Sequence, residues 1–323
     1  MLSKNDRIDH FLLIKRIDLR STRTGSDFLS TELGDKTTSL NANVWEGYTE
    51  VAAKGRVGDV VKVTGTVEEY QGSLQIRVSS IRLATTADDV NPKDFLPQSK
   101  RNLKEMKNEF NKRIKNTSNK YLKNLLTQIF NSERFELFCT APAGKFWHHA
   151  YIHGLLEHTL EIVKICELMC EFHLELNKDL LITGAMLHDI GKIEELSFDS
   201  AFEYTDKGKL VGHIVIASNL VRDEIKKISG FPVELENNLI HLILSHQGKL
   251  EHASPVVPKT AEAIALYQAD ELSAKVNAYK NAVDSELKDG SNWTRFIQLA
   301  GTDLHKITLD NSSEENTKKS LFD

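Results

Sequence analysis

The feature that most constrains this chain is a change of hydrophobic period near residue 90. Upstream, apolar residues recur at every second position. Phe11, Leu13, Ile17 and Leu19 alternate with Arg16, Asp18 and Arg20. Val61, Val63, Gly65 and Val67 alternate with Lys62, Thr64, Thr66 and Glu68, and Leu74, Ile76 and Val78 with Gln75, Arg77 and Ser79. Period two puts successive side chains on opposite faces of a strand, and the turn Tyr70-Gln71-Gly72-Ser73 joins the last two runs as a hairpin. Downstream the period becomes helical: Leu103, Met106, Phe110 and Ile114 mark one helix, Leu122, Leu125, Leu126, Ile129 and Phe130 the next.

A further strand runs over Thr38–Val44 and ends at Trp45. About five strands within residues 10–85, with a looser stretch at 46–57 before the last hairpin, fit an OB-type barrel. The expected fold class is therefore multidomain β + α, a small barrel followed by an all-α helical bundle. The boundaries read as a barrel over 1–90, a basic helical connector over 91–135, a bundle over 136–310 and a polar tail over 311–323. Breaks in the helical half are expected at Gly191, Gly208, Gly230-Phe231-Pro232 and Ser254–Pro258. At 323 residues the chain is long enough for two separate cores.

Charge is distributed unevenly. Residues 1–90 carry 12 Lys+Arg against 13 Asp+Glu, residues 91–135 carry 11 against 4, and residues 136–323 carry 18 against 29. The middle segment would draw a polyanion first, although a basic helix face can equally be a solvated one. The start, MLSKNDRIDH, has no apolar signal core, and no run approaches the roughly 18 apolar residues of a membrane span. A cytoplasmic protein without membrane contact is expected. Cys139, Cys166 and Cys170 are too few for a disulfide framework; Cys166 and Cys170, four apart, read as buried thiols before they read as a metal pair.

Eleven of the twelve histidines lie between 148 and 305. Several occupy positions where the helical period calls for a core residue. His158 shares its stripe with Leu155, Ile162 and Ile165, and His188 with Leu181, Gly184 and Ala185. His213 sits with Ile216, Ala217 and Leu220, His246 with Leu239, Leu242 and Ile243, and Asp270 with Ala263, Leu266 and Tyr267. A lone inward histidine is usually a satisfied core residue. An unpaired inward carboxylate costs several kcal/mol, and five such placements with Asp189 adjacent point to a divalent cation.

His188-Asp189-Ile190-Gly191-Lys192 resembles the HD-x-G-K signature of the HD phosphohydrolase superfamily. Gly-Leu-Leu-Glu-His-Thr precedes it at 154–159, and the isolated Asp270 follows. A barrel followed by this helical domain is similar to the YhaM family of 3′→5′ exoribonucleases. Trp147-His148-His149, Gly248-Lys249-Leu250-Glu251 and Ser254-Pro255-Val256 extend the likeness over almost the whole chain.

The resemblance implies that His158, His188, Asp189 and Asp270 hold one metal, with Asp189 bridging to a second held by His213 and His246. It implies two-metal hydrolysis of single-stranded RNA from the 3′ end to 5′-mononucleotides, with manganese the first cation to try and single-stranded DNA a second substrate to test. Asp189 and Lys192 are the catalytic candidates, Lys192 being placed to reach a phosphate oxygen. His246-Gln247 stands where some dinuclear HD proteins carry paired histidines. His153, where a small residue is expected, could ligate, touch phosphate or cap its helix. His148, His149, Lys249, Trp45, Tyr70 and Arg77 complete the candidate substrate contacts, although a tryptophan at a strand end reads first as core. A homo-oligomer is expected, because neighbouring subunits would strengthen the grip of a short groove. The competing functions are a nucleotide or cyclic-nucleotide phosphohydrolase and a non-catalytic nucleic-acid-binding regulator.

Overall fold

A computed structural model describes residues 3–70, 72–288, 290–298 and 300–307. The tail expected over 311–323 lies outside the described residues, as does Gln71 of the hairpin turn. The described chain divides into two compact units, residues 3–98 with 198–201, and residues 99–197 with 202–307.

The first unit contains β1 (Arg7–Ser21), β2 (Asp27–Gly34), β3 (Ser39–Val44), α1 (Thr49–Lys54), β4 (Val60–Tyr70) and β5 (Ser73–Leu83). The strands close into a barrel in the order β1-β2-β3-β5-β4, with β4 returning antiparallel to β1 and β3 parallel to β5. Closure removes the free edges that a five-stranded sheet would expose. The looser stretch at 46–57 contains α1, whose fully buried Val51 joins Leu12, Ile14, Leu33, Val61 and Ile76 in the barrel core.

Two sequence expectations in the barrel are corrected. In β1 the inward residues are Ile8, Leu12 and Ile14, and Leu19 is 62% exposed. A register shift between Ile14 and Arg16 separates the two halves: one extra residue reverses the faces, so Phe11 and Leu13 lie off the core face before it and Ile17 packs inward beyond it. The apparent alternation of Phe11, Leu13, Ile17 and Leu19 joined two half-strands of opposite phase. Trp45 is not core. Val44 takes the inward position, and Trp45 is 52% exposed and stacked on Phe28, ring centroids 4.6 Å apart.

The second unit is helical: α2 (Leu103–Asn116), α3 (Lys120–Ile129), α4 (Ser132–Thr140), α5 (Gly154–Phe172), α6 (Lys178–Leu187), α7 (Lys192–Glu195), α8 (Asp206–Val211), α9 (His213–Ile225), α10 (Val233–Ser245) and α11 (Ala261–Ser285). A short hairpin, β6 (Leu196–Ser197) with β7 (Glu203–Tyr204), interrupts it. Asn102, Asn119, Asn131 and Asn177 each accept a first-turn amide at the start of α2, α3, α4 and α6. Helices α2 and α3 pack on α5, α6 and α9 and fully bury Met106, Phe110, Leu122, Leu125, Leu126 and Ile129. Every residue of α6 from Leu180 to Leu187 is buried among α5, α10 and α11, as expected for a helix that is apolar all round.

Gly208, expected as a break, lies inside α8. After α11 the chain makes isolated β-bridges, among them Trp293 with His305. Cys139, Cys166 and Cys170 are buried free thiols, and no cysteine enters a metal-ligand group among the described residues. No helix among the described residues is long and apolar enough to cross a membrane.

Candidate metal centre

Six inward side chains meet in the second unit. His158 projects from α5, Asp270 from α11, and His213 is the first residue of α9. His188 and His246 cap the C-terminal ends of α6 and α10, with Asp189 following His188. The ligand atoms fall into two groups, His158-His188-Asp270 and Asp189-His213-His246, each within 4.8 Å. Asp189 faces both. Its Oδ2 lies 3.2 Å from His188 Nε2 and 3.8 Å from His158 Nε2, and its Oδ1 lies 3.3 Å from His213 Nε2 and 3.6 Å from His246 Nε2. Asp270 Oδ1 lies 3.0 Å from His158 Nε2.

The four imidazoles are oriented alike. His188 Nδ1 donates to the Ala185 carbonyl at 2.8 Å and His246 Nδ1 to the Ile243 carbonyl at 2.7 Å, in each case the carbonyl three residues back. His213 Nδ1 meets Glu195 Oε1 at 2.9 Å, and the His213 amide donates to the same oxygen. His158 Nδ1 lies 3.0 Å from Ser273 Oγ, which donates onward to Glu161 Oε2 at 2.7 Å. A proton held on Nδ1 leaves Nε2 with its lone pair, the arrangement that metal-ligating histidines require. All four Nε2 atoms and Asp189 Oδ1 are buried without hydrogen-bond partners. Buried polar atoms are seldom left so, and imidazole with carboxylate suits several divalent cations. The donor set fits such ions.

The electrostatics agree. Burial would raise the Asp189 carboxyl, but Lys192 and His188 beside it hold it well below the usual carboxylate range. Lys192 is itself buried, its Nζ 2.7 Å from Asp189 Oδ2, and that carboxylate outweighs desolvation and raises the ammonium. Burial lowers His246 and pushes His158 down to about 4, so both are neutral near pH 7. His188 shifts the other way, because Asp189 outweighs its desolvation.

His158 gives a pH prediction. Its folded pKa lies below its unfolded value of 6.5, so the unfolded chain binds more protons in that window. Its contribution is fully present above about pH 6.5 and is lost as pH falls through about 4, a change on the order of a few kcal/mol. In chelator-treated protein, the urea-midpoint difference between wild type and His158→Asn is expected to move against wild type from pH 7 to pH 4.5. A pH-independent difference would contradict the assignment.

Gly191 of the HD-x-G-K stretch has a steric role. A Cβ there would lie 2.1 Å from the His213 carbonyl oxygen and 2.9 Å from the Ala217 amide nitrogen. Only glycine lets the α6–α7 junction approach α9 closely enough to set His213 opposite Asp189.

The other candidate contacts separate into distinct places. His153 precedes α5 with left-handed backbone (φ 70°), and its Nδ1 meets the Cys139 carbonyl at 2.6 Å, so it anchors α4 and joins neither ligand group. His149 is fully buried with Nε2 3.2 Å from Glu161 Oε2, and His148 lies against His158, ring centroids 4.9 Å apart. Lys249 is exposed and pairs with Glu251. In the barrel, the register places Trp45, Tyr70 and Arg77 on the outer surface, with Arg20 opposite Phe28 and Arg77 opposite Asn43. Sequence reasoning missed Glu161, Glu195 and Ser273. Glu195 alone offered a signal, as an acidic residue just past the HD-x-G-K stretch.

Residues 155–275 match the HD domain family, and residues 13–84 match the OB-fold nucleic acid binding domain. Two curated relatives named 3′-5′ exoribonuclease YhaM come from Geobacillus sp. (strain WCH70) and Shouchella clausii (strain KSM-K16). They are 32% and 34% identical to this chain over 303 residues, which is 93% of it and 92% and 93% of their own lengths. The chain belongs to the YhaM family. The family's HD match contains all six inward donors and Lys192, and its OB match contains Trp45, Tyr70 and Arg77. His148, His149 and His153 lie just upstream of the HD match.

Proposed function

We propose that this chain is a metal-dependent 3′→5′ exonuclease that trims single-stranded RNA to 5′-mononucleotides, using two divalent cations with manganese the first to test. The observation that carries the reading is the bridging position of Asp189, whose two oxygens face two separate groups of freed Nε2 atoms. His158, His188 and Asp270 would hold one cation, His213 and His246 the other, and Asp189 both. A bound pair would supply Lewis acidity that makes water nucleophilic near neutral pH and offsets charge developing at phosphorus.

The protein's own residues do the rest. Ser273, Glu195 and the two backbone carbonyls hold the imidazoles in one tautomer and one orientation before substrate arrives. Lys192 fixes the Asp189 carboxylate and adds buried positive charge where an anionic phosphate must come. On the barrel's outer surface the Phe28–Trp45 stack, with Arg16, Arg20 and Arg77, offers a base-stacking and backbone-binding face for a single strand. A phosphohydrolase of free nucleotides has no use for that face, and an inert regulator has none for the donor set.

The test is 5′-labelled single-stranded RNA with Mn²⁺, alongside a 3′-blocked copy and the matching DNA. A ladder shortening from the 3′ end, stalled by the block and removed by chelator, is the expected result. Internal cuts, or no cleavage with any divalent metal, would overturn it and turn attention to small nucleotides.

A further inference from the structure

Beside the centre, two adjacent histidines, His148 and His149, hold buried ring nitrogens that make no hydrogen bond. Among the described residues, His148 has both ring nitrogens buried without a hydrogen-bond partner. Its ring lies 4.9 Å from that of His158, yet it belongs to neither ligand group. His149 differs in having a carboxylate in ion-pair range, Glu161 Oε2 at 3.2 Å from its Nε2.

The loop that carries His148 is rigidly determined. The His149 carbonyl accepts the amides of Ala143 and Tyr151 at 3.1 and 2.9 Å, and its amide donates to Asn277 Oδ1 at 2.8 Å. A Cβ on Gly154 would lie 2.0 Å from that same carbonyl oxygen, so the start of α5 clamps the loop from below. His149 holds a left-handed backbone, φ 45°, under these constraints. Such a clamp is the kind of support a fixed side chain at a reaction centre needs.

A neutral imidazole presents one N–H and one lone pair, and both His148 ring nitrogens are open to a partner from outside the protein. The carboxylates nearby, Asp189 and Asp270, face the metal-ligand imidazoles and Lys192. The acceptor still to come to this corner is an oxygen of the ligand. We propose that His148 is a substrate-binding residue whose ring N–H donates to a non-bridging oxygen of the scissile phosphate. The proposal rests on the nuclease reading only for what the phosphate is attached to; the phosphoryl oxygen is the recognised group.

The experiment uses Mn²⁺-loaded full-length protein as wild type, His148→Ala and His148→Gln, the last retaining an N–H donor. Three quantities are read: bound manganese by elemental analysis, inorganic phosphate affinity by calorimetry, and RNA trimming. Manganese content is expected to stay at the wild-type level in both variants. Phosphate affinity should fall about 10- to 100-fold in His148→Ala and recover in part in His148→Gln, as for one hydrogen bond to a charged acceptor. RNA kcat should fall about 10²-fold in His148→Ala while KM changes little, because the barrel face holds the strand.

Loss of manganese from His148→Ala would make His148 a ligand and overturn the proposal. So would manganese-replete protein with unchanged phosphate affinity, or wild type that binds no phosphate. Wild type that binds phosphate through His148 yet trims no RNA would overturn the nuclease reading and leave this one standing.

Discussion

Asp189→Ala is expected to reduce RNA hydrolysis by about 10⁴-fold or more and to release metal from both ligand groups together. Among the described residues Asp189 is the one side chain whose two oxygens face both groups, so no other single change among them removes a donor from each. Both cations in a dinuclear site act on the same transition state, so weakening both removes most of the rate enhancement. RNA affinity, read by fluorescence anisotropy, should stay within about threefold, since stacking and backbone contacts on the barrel are untouched. The substitution also strands the buried Lys192 ammonium, at a cost of about 3–5 kcal/mol. Asp189→Asn, which keeps the shape and a hydrogen-bond acceptor for Lys192, should show the same loss of turnover with better stability. Turnover at the wild-type level in either variant would refute the site.

Gly191→Ala should weaken the protein without altering any ligand. The added methyl meets backbone, the His213 carbonyl and the Ala217 amide, and neither can rotate away. Overpacking of this kind costs about 1–3 kcal/mol. The forced separation displaces His213 from Asp189, and a misplacement near 1 Å is worth about 10²-fold in rate. Metal analysis should show selective loss from the Asp189-His213-His246 group, with the His158-His188-Asp270 group retained. Gly144→Ala is the control, because its Cβ would meet only the His148 carbonyl oxygen at an ordinary 3.4 Å. Wild-type stability and metal content in Gly191→Ala would mean that the approach of α7 to α9 is not what positions His213.

Period-two and helical spacing carried the class of each half, because strand and helix faces are properties of a single element. The six donors were legible for the same reason. Each breaks the apolar stripe of its own helix, and a polar residue at a core position is visible without knowing what it meets. Phase was less secure: the bulge between Ile14 and Arg16 is invisible in composition, and it put Phe11 and Leu13 on the opposite face from Ile17. Trp45 falls outside the core because it follows the inward Val44, which leaves it available as the candidate contact it was read as.

The groups that orient the ligands could not be read in advance. Ser273 meets His158 across 115 positions, and Glu161 stands behind it. Nor could the spacing show that His153 is tied to the Cys139 carbonyl while the ring nitrogens of His148, five residues earlier, are buried without a hydrogen bond. By itself the sequence determined the two architectures and the set of inward donors, since those follow from local periodicity and the cost of burying charge. Only the tertiary structure decided the distances at which those donors face the two oxygens of Asp189, and which groups hold them. Those are distances between elements far apart in the chain, fixed by how the helices pack.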